Sequence, residues 1–245
     1  MTTITDRLAL AQHRIKQAAQ NSSRNPAGVQ LLAVSKTKPN EQIIEAYTAG
    51  QRRFGENYVQ EGEEKVKSLS QDYPDIEWHF IGPLQSNKTK IIAGLFDWMH
   101  TVEREKIASR LNDQRPEHMS PLNVCIQVNI SQEASKSGVT TAEIAALAEK
   151  IHLLPNLNLR GLMAIPSASV DNVTAIAELA ELQKQYQRLS AKYPSVDTLS
   201  VGMSNDLELA VAHGSTMVRI GSAIFGARDY PKNGAISNQA QRLDK

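Results

Sequence analysis

The sequence predicts an α/β protein folded as a single (β/α)8 TIM barrel with an extra N-terminal helix. Short apolar segments of strand character alternate with longer helical segments along the chain, which is typical of parallel βαβ units. Eight strand segments can be counted, and the length of 245 residues is close to the ~250 residues typical of this barrel. These features favour a closed barrel, and an open, doubly wound sheet is the alternative.

The first predicted element is an amphipathic helix at positions 4–21. Ile4, Leu8, Ala11 and Ile15 recur at helical spacing and form one apolar stripe. The predicted strands follow at positions 31–35, 52–57, 77–82, 97–102, 122–130, 159–165, 197–202 and within 217–226. The fifth of them, LNVCIQVNI, is the clearest because it is long and rich in β-branched residues.

Helical segments connect these strands, at positions 41–50, 58–69, 86–95, 103–114, 140–154, 171–193 and 205–214. Gly50 ends the first of them. Thr140 and Glu143 have capping-box spacing, which predicts that a helix begins there. No linker rich in Pro, Gly or Ser divides the chain, so we expect one barrel domain over 1–230 and a polar tail over 231–245.

The composition is that of an ordinary globular protein, with 41% hydrophobic and 22% charged residues. A net charge of +1 gives no basic excess for binding nucleic acid. No apolar run reaches the ~18 residues of a membrane span, and the N-terminal segment lacks the apolar core of a secretory signal. Cys125 is the single cysteine, which fits a reducing compartment, so we expect a cytoplasmic protein.

Functional residues of such barrels lie at the C-terminal ends of the strands. Lys36 directly follows the first strand and shares a face with Leu32 and Val34. A desolvated lysine has a lowered pKa and can attack a carbonyl carbon to form an imine. Lys38 is a competitor for the same role, and a solvated loop lysine is the plainer interpretation.

Arg219 lies between Val218 and Ile220, inside the last strand. Charged side chains are almost never fully buried without a partner. Arg219 is therefore expected to face a ligand acceptor or an anion, or to pair with a carboxylate inside the barrel. The residues alone leave both interpretations open.

A phosphate site is predicted where the last two strands end. Gly221 and Ser222 follow the eighth strand, and Ser204 follows the seventh; the loops after these strands are the recurrent phosphate site of such barrels. Asn205 and Glu208 also have capping-box spacing. No nucleotide-binding glycine motif, serine-hydrolase elbow or metal-binding pattern is present, so no metal is expected.

Two further polar residues fall at predicted strand ends. Asn57 follows the second strand, and His79 lies in the third. A lone histidine is more often a hydrogen-bonded core residue than a catalytic group, so His79 is not predicted to be part of the site.

Several segments together carry a resemblance to a known family. They are LLAVSKTKP, RRFGENYVQE, WHFIGPLQSNK, SKSGV, GLMAI, VGMSNDLELAV and VRIGSAIFGAR, and they span about Leu31 to Arg228. In this order they closely resemble the pyridoxal phosphate homeostasis proteins, also described as the YggS/PROSC-type group. Position 222 is Ser where Thr is also expected, and both side chains offer a hydroxyl.

The resemblance implies a fold-type III barrel like the N-terminal domain of alanine racemase, with pyridoxal 5′-phosphate (PLP) as cofactor. It implies that Lys36, rather than Lys38, forms the Schiff base with PLP. Arg219 would lie against the pyridine nitrogen, with Asn57 close to the cofactor. The phosphate would be held by Ser204, Gly221 and Ser222.

The implied function is PLP binding in intracellular PLP homeostasis, as a carrier or buffer and with no catalytic residue assigned. An arginine facing the pyridine nitrogen keeps that nitrogen unprotonated, which weakens the ring as an electron sink. The chain is also expected to lack the second domain that brings alanine racemase its tyrosine base. A weak amino-acid racemase is the alternative, and an aldolase that uses the same lysine on a sugar phosphate is a more distant one.

The expected partners are PLP itself and apoenzymes that receive it, and we expect a monomer. Lys136 lies in the loop SQEASKSGV after the fifth strand, which places it at the cofactor-bearing rim. It is a candidate for accepting PLP transiently during transfer, and a solvated loop lysine is the plainer interpretation.

Overall fold

Eight parallel strands close into a barrel in chain order in the computed structural model, which describes residues 2–167 and 172–227. They are β1 Gln30–Val34, β2 Arg53–Glu56, β3 Glu77–Phe80, β4 Trp98–Val102, β5 Leu122–Val128, β6 Leu157–Ala164, β7 Thr198–Ser200 and β8 Met217–Ile220. Strand β1 pairs with both β2 and β8. The predicted barrel is confirmed and the open sheet is excluded, while the expected tail over 231–245 lies outside the described residues.

The helices are α1 Ile4–Asn21, α2 Asn40–Thr48, α3 Val59–Leu69, α4 Thr89–Leu95, α5 Glu105–Gln114, α6 Ile144–His152, α7 Asn172–Lys192, α8 Leu207–Ala212 and α9 Ser222–Phe225. The segment predicted at 86–95 is divided into a 3-10 turn, Ser86–Lys88, and α4. The predicted start of α7 at position 171 lies outside the described residues. Within the described ranges, none of these helices combines the length and apolar character that crossing a membrane requires.

The capping box predicted at Thr140 does not begin α6. The carboxylate of Glu143 accepts hydrogen bonds from the backbone N–H and the hydroxyl of Thr140, at 2.8 and 2.7 Å. The helix nevertheless begins at Ile144, with no side-chain cap. The two residues therefore form a local turn that leads directly into the helix, with Glu143 at its N-cap.

Helix α1 covers the side of the barrel where the last helix is short. It packs against α2, α8 and α9, and α9 has only 4 residues. The predicted stripe Ile4, Leu8, Ala11 and Ile15 is buried in the core. The extra N-terminal helix thus takes the place of a long eighth helix of the ring.

The inner face of the barrel carries a separate set of side chains from the core between sheet and helices. In β1, Leu31 and Ala33 belong to that outer core, and Leu32, between them, lies inside the barrel. Strand register places Leu32 beside Arg219. The other inner residues include His79, Trp98, His100, Cys125, Met163 and Ser200. Barrels of this type are usually filled by branched apolar residues, so this interior is unusually polar.

Gly161 should be indispensable to the closure of the barrel. Its φ is +152°, and a Cβ added there would lie 1.7 Å from the carbonyl oxygen of Thr198 on the neighbouring strand. We expect Gly161→Ala to lower the free energy of unfolding by about 3 kcal/mol or more, from backbone strain and the steric clash together. Urea unfolding measures this value.

Gly94 offers a matched control, because a Cβ added there meets no heavy atom within 4 Å. Gly94→Ala, in helix α4, should be neutral or stabilising by about 0.5–1 kcal/mol. Similar stabilities for the two variants would contradict the close contact at Gly161.

Candidate functional site

The structure brings the predicted site residues to one arc of the barrel rim. Lys36 follows β1, Asn57 follows β2, Ser204 follows β7, and Gly221 and Ser222 follow β8. Strands β7, β8, β1 and β2 are consecutive neighbours around the barrel. Because all strands are parallel, their C-terminal ends open onto the same face, and these residues form a continuous group there.

The two competing lysines differ in their surroundings. Lys36 is half-buried. Leu32, which is predicted to share a face of β1 with Lys36, lies on the inner face of the barrel beside Arg219. Lys38 is only 5% exposed, and its ammonium donates to the backbone carbonyl of Ala227, just beyond α9. Lys38 therefore helps to hold the segment that follows the last helix.

The end of β8 offers backbone N–H groups to an anion. The N–H groups of Ile224 and Phe225 donate to the carbonyl of Gly221, both at 2.9 Å, so those of Ser222 and Ala223 have no partner within α9. A Cβ added at Gly221 would lie 3.2 Å from the carbonyl oxygen of Val34. Glycine thus lets β8 and β1 approach closely at the place where a phosphate is predicted.

Ser204 lies half-buried in the turn between β7 and α8. Its carbonyl accepts a hydrogen bond from Arg14 of α1 at 3.1 Å. The capping box predicted for Asn205 and Glu208 is wrong, because α8 begins later, with Asp206 at the N-cap. Glu208 instead pairs with Arg14 at 2.8 Å.

The backbone that follows β3 packs against the backbone of Asn57. A Cβ added at Gly82 would lie only 2.0 Å from the Asn57 carbonyl oxygen. The chain after β3 therefore packs directly on the chain after β2, and this contact fixes where Asn57 lies on the rim.

Arg219 is buried inside the barrel and is held by neutral acceptors. Its Nη1 donates to the carbonyl and the hydroxyl of Ser200, at 2.7 and 2.9 Å, and its Nη2 donates to the carbonyl of Ala164 at 3.0 Å. In the described part of the chain, no carboxylate lies within 4.0 Å of the guanidinium. Burial lowers the pKa of Arg219 to about 10, so the group remains protonated at neutral pH. Of the two interpretations left open by the sequence, the internal ion pair is therefore not observed among the described residues.

A chain of hydrogen bonds connects Arg219 to the opposite end of the barrel, and sequence reasoning missed most of it. Ser200 Oγ lies 2.9 Å from Nδ1 of His100, and Nε2 of His100 lies 2.9 Å from Nδ1 of His79. Nε2 of His79 lies 2.8 Å from the carboxylate of Glu77. Ser200 and both histidines are fully buried. His79 is thus a hydrogen-bonded core residue, as expected.

The chemistry of the two ends determines the direction of every bond in this chain. An ionised carboxylate can only accept, so Nε2 of His79 donates to Glu77, and Nδ1 of the neutral His79 is left to accept from Nε2 of His100. Nδ1 of His100 then accepts the hydrogen of Ser200, whose oxygen in turn accepts from Arg219, because a guanidinium can only donate. We assign these tautomers because the reverse assignment would leave an imidazole nitrogen and a carboxylate facing each other without a hydrogen.

Protonation of the same groups agrees with this assignment. Burial lowers the pKa of His79, and it lowers the pKa of His100 well below the ordinary 6.5. Burial alone would raise the pKa of Glu77, but the hydrogen bond and charge of His79 outweigh it, and the pKa is lowered. At neutral pH the chain therefore has two neutral imidazoles between a carboxylate and a guanidinium.

Lys136 lies at the same face of the barrel, in the connection between β5 and α6. Its ammonium is 2.9 Å from Glu133, and it donates to the carbonyls of Ile165 and Pro166 at 3.4 and 3.1 Å. Lys136 is therefore not a freely solvated lysine, because it contacts the chain that follows β6.

Comparisons with known proteins agree with this geometry. The family model of the alanine racemase N-terminal domain matches residues 7–229. The pyridoxal phosphate homeostasis proteins of Vibrio alginolyticus and Escherichia coli K12 are 57% and 53% identical to this chain, over 94% and 95% of it and 100% of their own lengths. The chain belongs to the family of pyridoxal phosphate homeostasis proteins. The predicted resemblance is confirmed.

Solved structures place the family among known barrels. PipY of Synechococcus elongatus PCC7942, solved with PLP bound, is 36% identical, with a TM-score of 0.77 over 91% of this chain and 100% of its own. Alanine racemase of Corynebacterium glutamicum has a TM-score of 0.67 at 16% identity, over 94% of this chain and 64% of its own. The racemase comparison shows a shared fold alone.

The neutral state of His100 should make stability depend on pH. The unfolded chain binds a proton at His100 near pH 6.5, whereas the folded protein does so only at much lower pH. The unfolded state therefore holds more protons below pH 6.5, so the free energy of unfolding falls as the pH decreases. We expect His100→Gln to reduce this slope by about 1 kcal/mol per pH unit between about pH 5 and 6.

Urea unfolding at several pH values measures the slope. Leu122→Ala is a suitable control, since it also destabilises a fully buried position but removes no titratable group. An unchanged slope in His100→Gln would show that His100 is protonated in the folded protein.

Proposed function

We propose that this protein binds PLP covalently through Lys36 and acts in intracellular PLP homeostasis as a carrier or buffer, without catalysing a reaction of its own. The observation that carries the proposal is a buried arginine held only by neutral acceptors, below a rim where Lys36 and the amides after β8 are neighbours. The PLP-bound relative PipY and the names of the relatives support the same ligand.

The residues present fit this cofactor. When bound, PLP supplies an aldehyde that reacts with amines and a phosphate that carries negative charge. The amine of Lys36 would form a C=N bond with the aldehyde carbon, and the aldehyde oxygen would leave as water with the two amine hydrogens. Ser204, Gly221 and Ser222 would hold the phosphate through hydroxyl and backbone N–H groups. Because β8 closely approaches β1 at Gly221, a phosphate held there would lie near the end of β1 that carries the lysine, and Asn57 would lie beside the ring.

Arg219 would face the pyridine nitrogen and donate a hydrogen bond to it. Three N–H groups of the guanidinium are used by Ser200 and Ala164, which leaves two of its five for a ligand. A guanidinium that keeps its proton discourages protonation of the nitrogen it faces. Arg219 would therefore keep the ring nitrogen unprotonated, and such a ring poorly stabilises negative charge at a substrate carbon, which favours a carrier over a catalyst.

A weak amino-acid racemase is the second candidate. The match to the alanine racemase N-terminal domain over residues 7–229 favours it. Against it, the relatives that are 57% and 53% identical, matched over their full lengths, are named as homeostasis proteins.

The proposal extends to a cytoplasmic monomer that delivers PLP to apoenzymes. Lys136 is the residue proposed to accept PLP transiently during delivery. The support for this role is its position on the cofactor-bearing side and its contact with the loop after β6.

The test of the proposal is covalent labelling. With PLP, the wild-type protein should show the visible absorption band of lysine-bound PLP, and Lys36→Ala should lose it almost completely while keeping its circular dichroism spectrum. Lys38→Ala is the matched control and should keep the band. Borohydride reduction and peptide mapping should then locate the label on Lys36, and a label on another lysine would overturn the assignment.

Turnover separates the carrier from the racemase. Because Arg219 disfavours protonation of the ring nitrogen, the purified protein with PLP should exchange the α-hydrogen of L- and D-amino acids no faster than free PLP at the same concentration. Deuterium incorporation followed by NMR measures both rates. Exchange well above that of free PLP would defeat the carrier and support the racemase.

A further inference from the structure

A buried cluster of charges lies directly behind the loop that carries Lys36. Its members are Ser35, Glu56 at the end of β2, and Glu61 and Lys65 of helix α3. The side chains of Lys65 and Glu56 are 7% and 0% exposed. The Lys65 ammonium lies 2.9 Å from Glu56 Oε1 and 2.6 Å from Glu61 Oε1. None of these residues belongs to the proposed PLP contacts.

The cluster holds the backbone on both sides of Lys36. On one side, the Ser35 hydroxyl donates to Glu56 at 2.6 Å, and the Ser35 carbonyl accepts from Lys65 at 2.8 Å. On the other side, the Thr37 N–H donates to Glu61 Oε1 at 2.5 Å. Lys36 thus lies between two residues that are each tied to charged side chains.

Thr37 has a conformation that needs such support. Its φ is +63°, in the left-handed region that β-branched residues rarely adopt. The hydrogen bond to Glu61 engages the N–H of this same residue. Without it, the chain after Lys36 would be expected to relax toward ordinary φ values and to change the direction of the loop.

Gly62 allows helix α3 to reach the cluster. A Cβ added there would lie 2.7 Å from Cζ of Phe96 and 3.3 Å from Cβ of Glu56. The helix therefore packs unusually close to the end of β2, and Glu61 and Lys65, one turn apart, reach the loop of Lys36 from there. The position of that loop depends on this close contact.

Burying these charged groups is costly in free energy, so a contribution to stability alone does not account for the cluster. The Glu56 carboxyl and the Lys65 ammonium must leave water to form the cluster, whereas the Glu61 side chain stays 26% exposed. Apolar residues of similar size often stabilise a core equally well. Buried ionic groups can serve to select one conformation instead. Here the groups that the cluster fixes are the backbone atoms next to the reactive lysine.

We propose that Glu61, Lys65 and Glu56 are positioning residues for Lys36, which fix its backbone so that its amine can capture and release the PLP aldehyde quickly. The inference rests on the proposed function, since it assumes that Lys36 bonds PLP. The three side chains act through Ser35 and Thr37 and need not touch the cofactor.

The test compares the kinetics of PLP capture in variants of helix α3. Stopped-flow absorption after mixing the full-length protein with PLP gives the capture rate constant. Glu61→Ala removes the acceptor for Thr37 and should slow capture about 10- to 100-fold, the range expected for a misplaced reacting group. Glu61→Gln keeps an oxygen that can accept from Thr37 and should restore most of the rate.

Helix α3 provides a matched control. Glu63 and Lys67 form a second ion pair of the same i, i+4 spacing, at 2.7 Å, with Lys67 exposed. Glu63→Ala removes this pair, which makes no hydrogen bond to Ser35 or Thr37, and should leave capture at the wild-type rate.

Pyridoxine 5′-phosphate separates positioning from general damage, because it has the phosphate and ring but no aldehyde. Its affinity should be the same in Glu61→Ala and the wild type. Equal capture rates in these two proteins would overturn the inference while leaving the proposed function intact, and so would an equal loss of affinity for PLP and for the alcohol. A wild type that shows no lysine-bound PLP would overturn both.

Discussion

The charge of Arg219 is the constraint around which the inside of the barrel is arranged. A buried guanidinium cannot lose its proton at neutral pH, so the side chains beside it must accept. Ser200 accepts and passes its own hydrogen to His100, which in turn donates to His79 and through it to Glu77. The permanent donor Arg219 at one end and the carboxylate acceptor Glu77 at the other are thus connected through two histidines, whose tautomers follow from the carboxylate.

This arrangement also explains why the barrel can be polar inside without being unstable. Each side chain in this series of hydrogen bonds has at least one partner of the complementary kind, which lowers the cost of a polar interior. Glu77, the terminal acceptor, has a side chain that is 35% exposed and pairs with Arg53 at 3.1 Å. Glu77, the one carboxylate in this series of hydrogen bonds, is therefore partly solvated by water.

The fold could be predicted from the sequence because its signals are local. The apolar stripe of α1 and the alternation of strands with helices depend on neighbouring positions, and they place Lys36, Asn57 and Gly221 at strand ends correctly. The capping box predicted for Asn205 and Glu208 was wrong because of a residue distant in the sequence. Glu208 forms an ion pair with Arg14, 194 positions away. Spacing alone contains no information about such a competitor.

The interior of the site could be predicted only in part. Arg219 stood out because a charge in an apolar strand is conspicuous, but its partners come from β6 and β7, and only the register of the closed barrel shows which residues lie beside it. His100 and Ser200 also interrupt apolar strands, and this was a signal that could have been used. The cluster behind Lys36 had no such signal, since Glu and Lys on a helix normally indicate a solvated face.

The two buried cations near the site, Lys65 and Arg219, have different kinds of hydrogen-bond acceptors. This difference agrees with a supporting role for Lys65 and a proposed ligand-binding role for Arg219. Lys65 has two carboxylates and a backbone carbonyl within hydrogen-bonding distance, so all three of its hydrogens are used and none remains for a ligand. Arg219 has only neutral acceptors and retains N–H groups without a described partner. A carboxylate beside Arg219 would occupy those groups and neutralise the charge that, in the proposed function, a ring nitrogen would face. The positive charge is therefore paired with carboxylates where it fixes the backbone and, among the residues that the structure describes, has no carboxylate within 4.0 Å where we propose that the ligand binds.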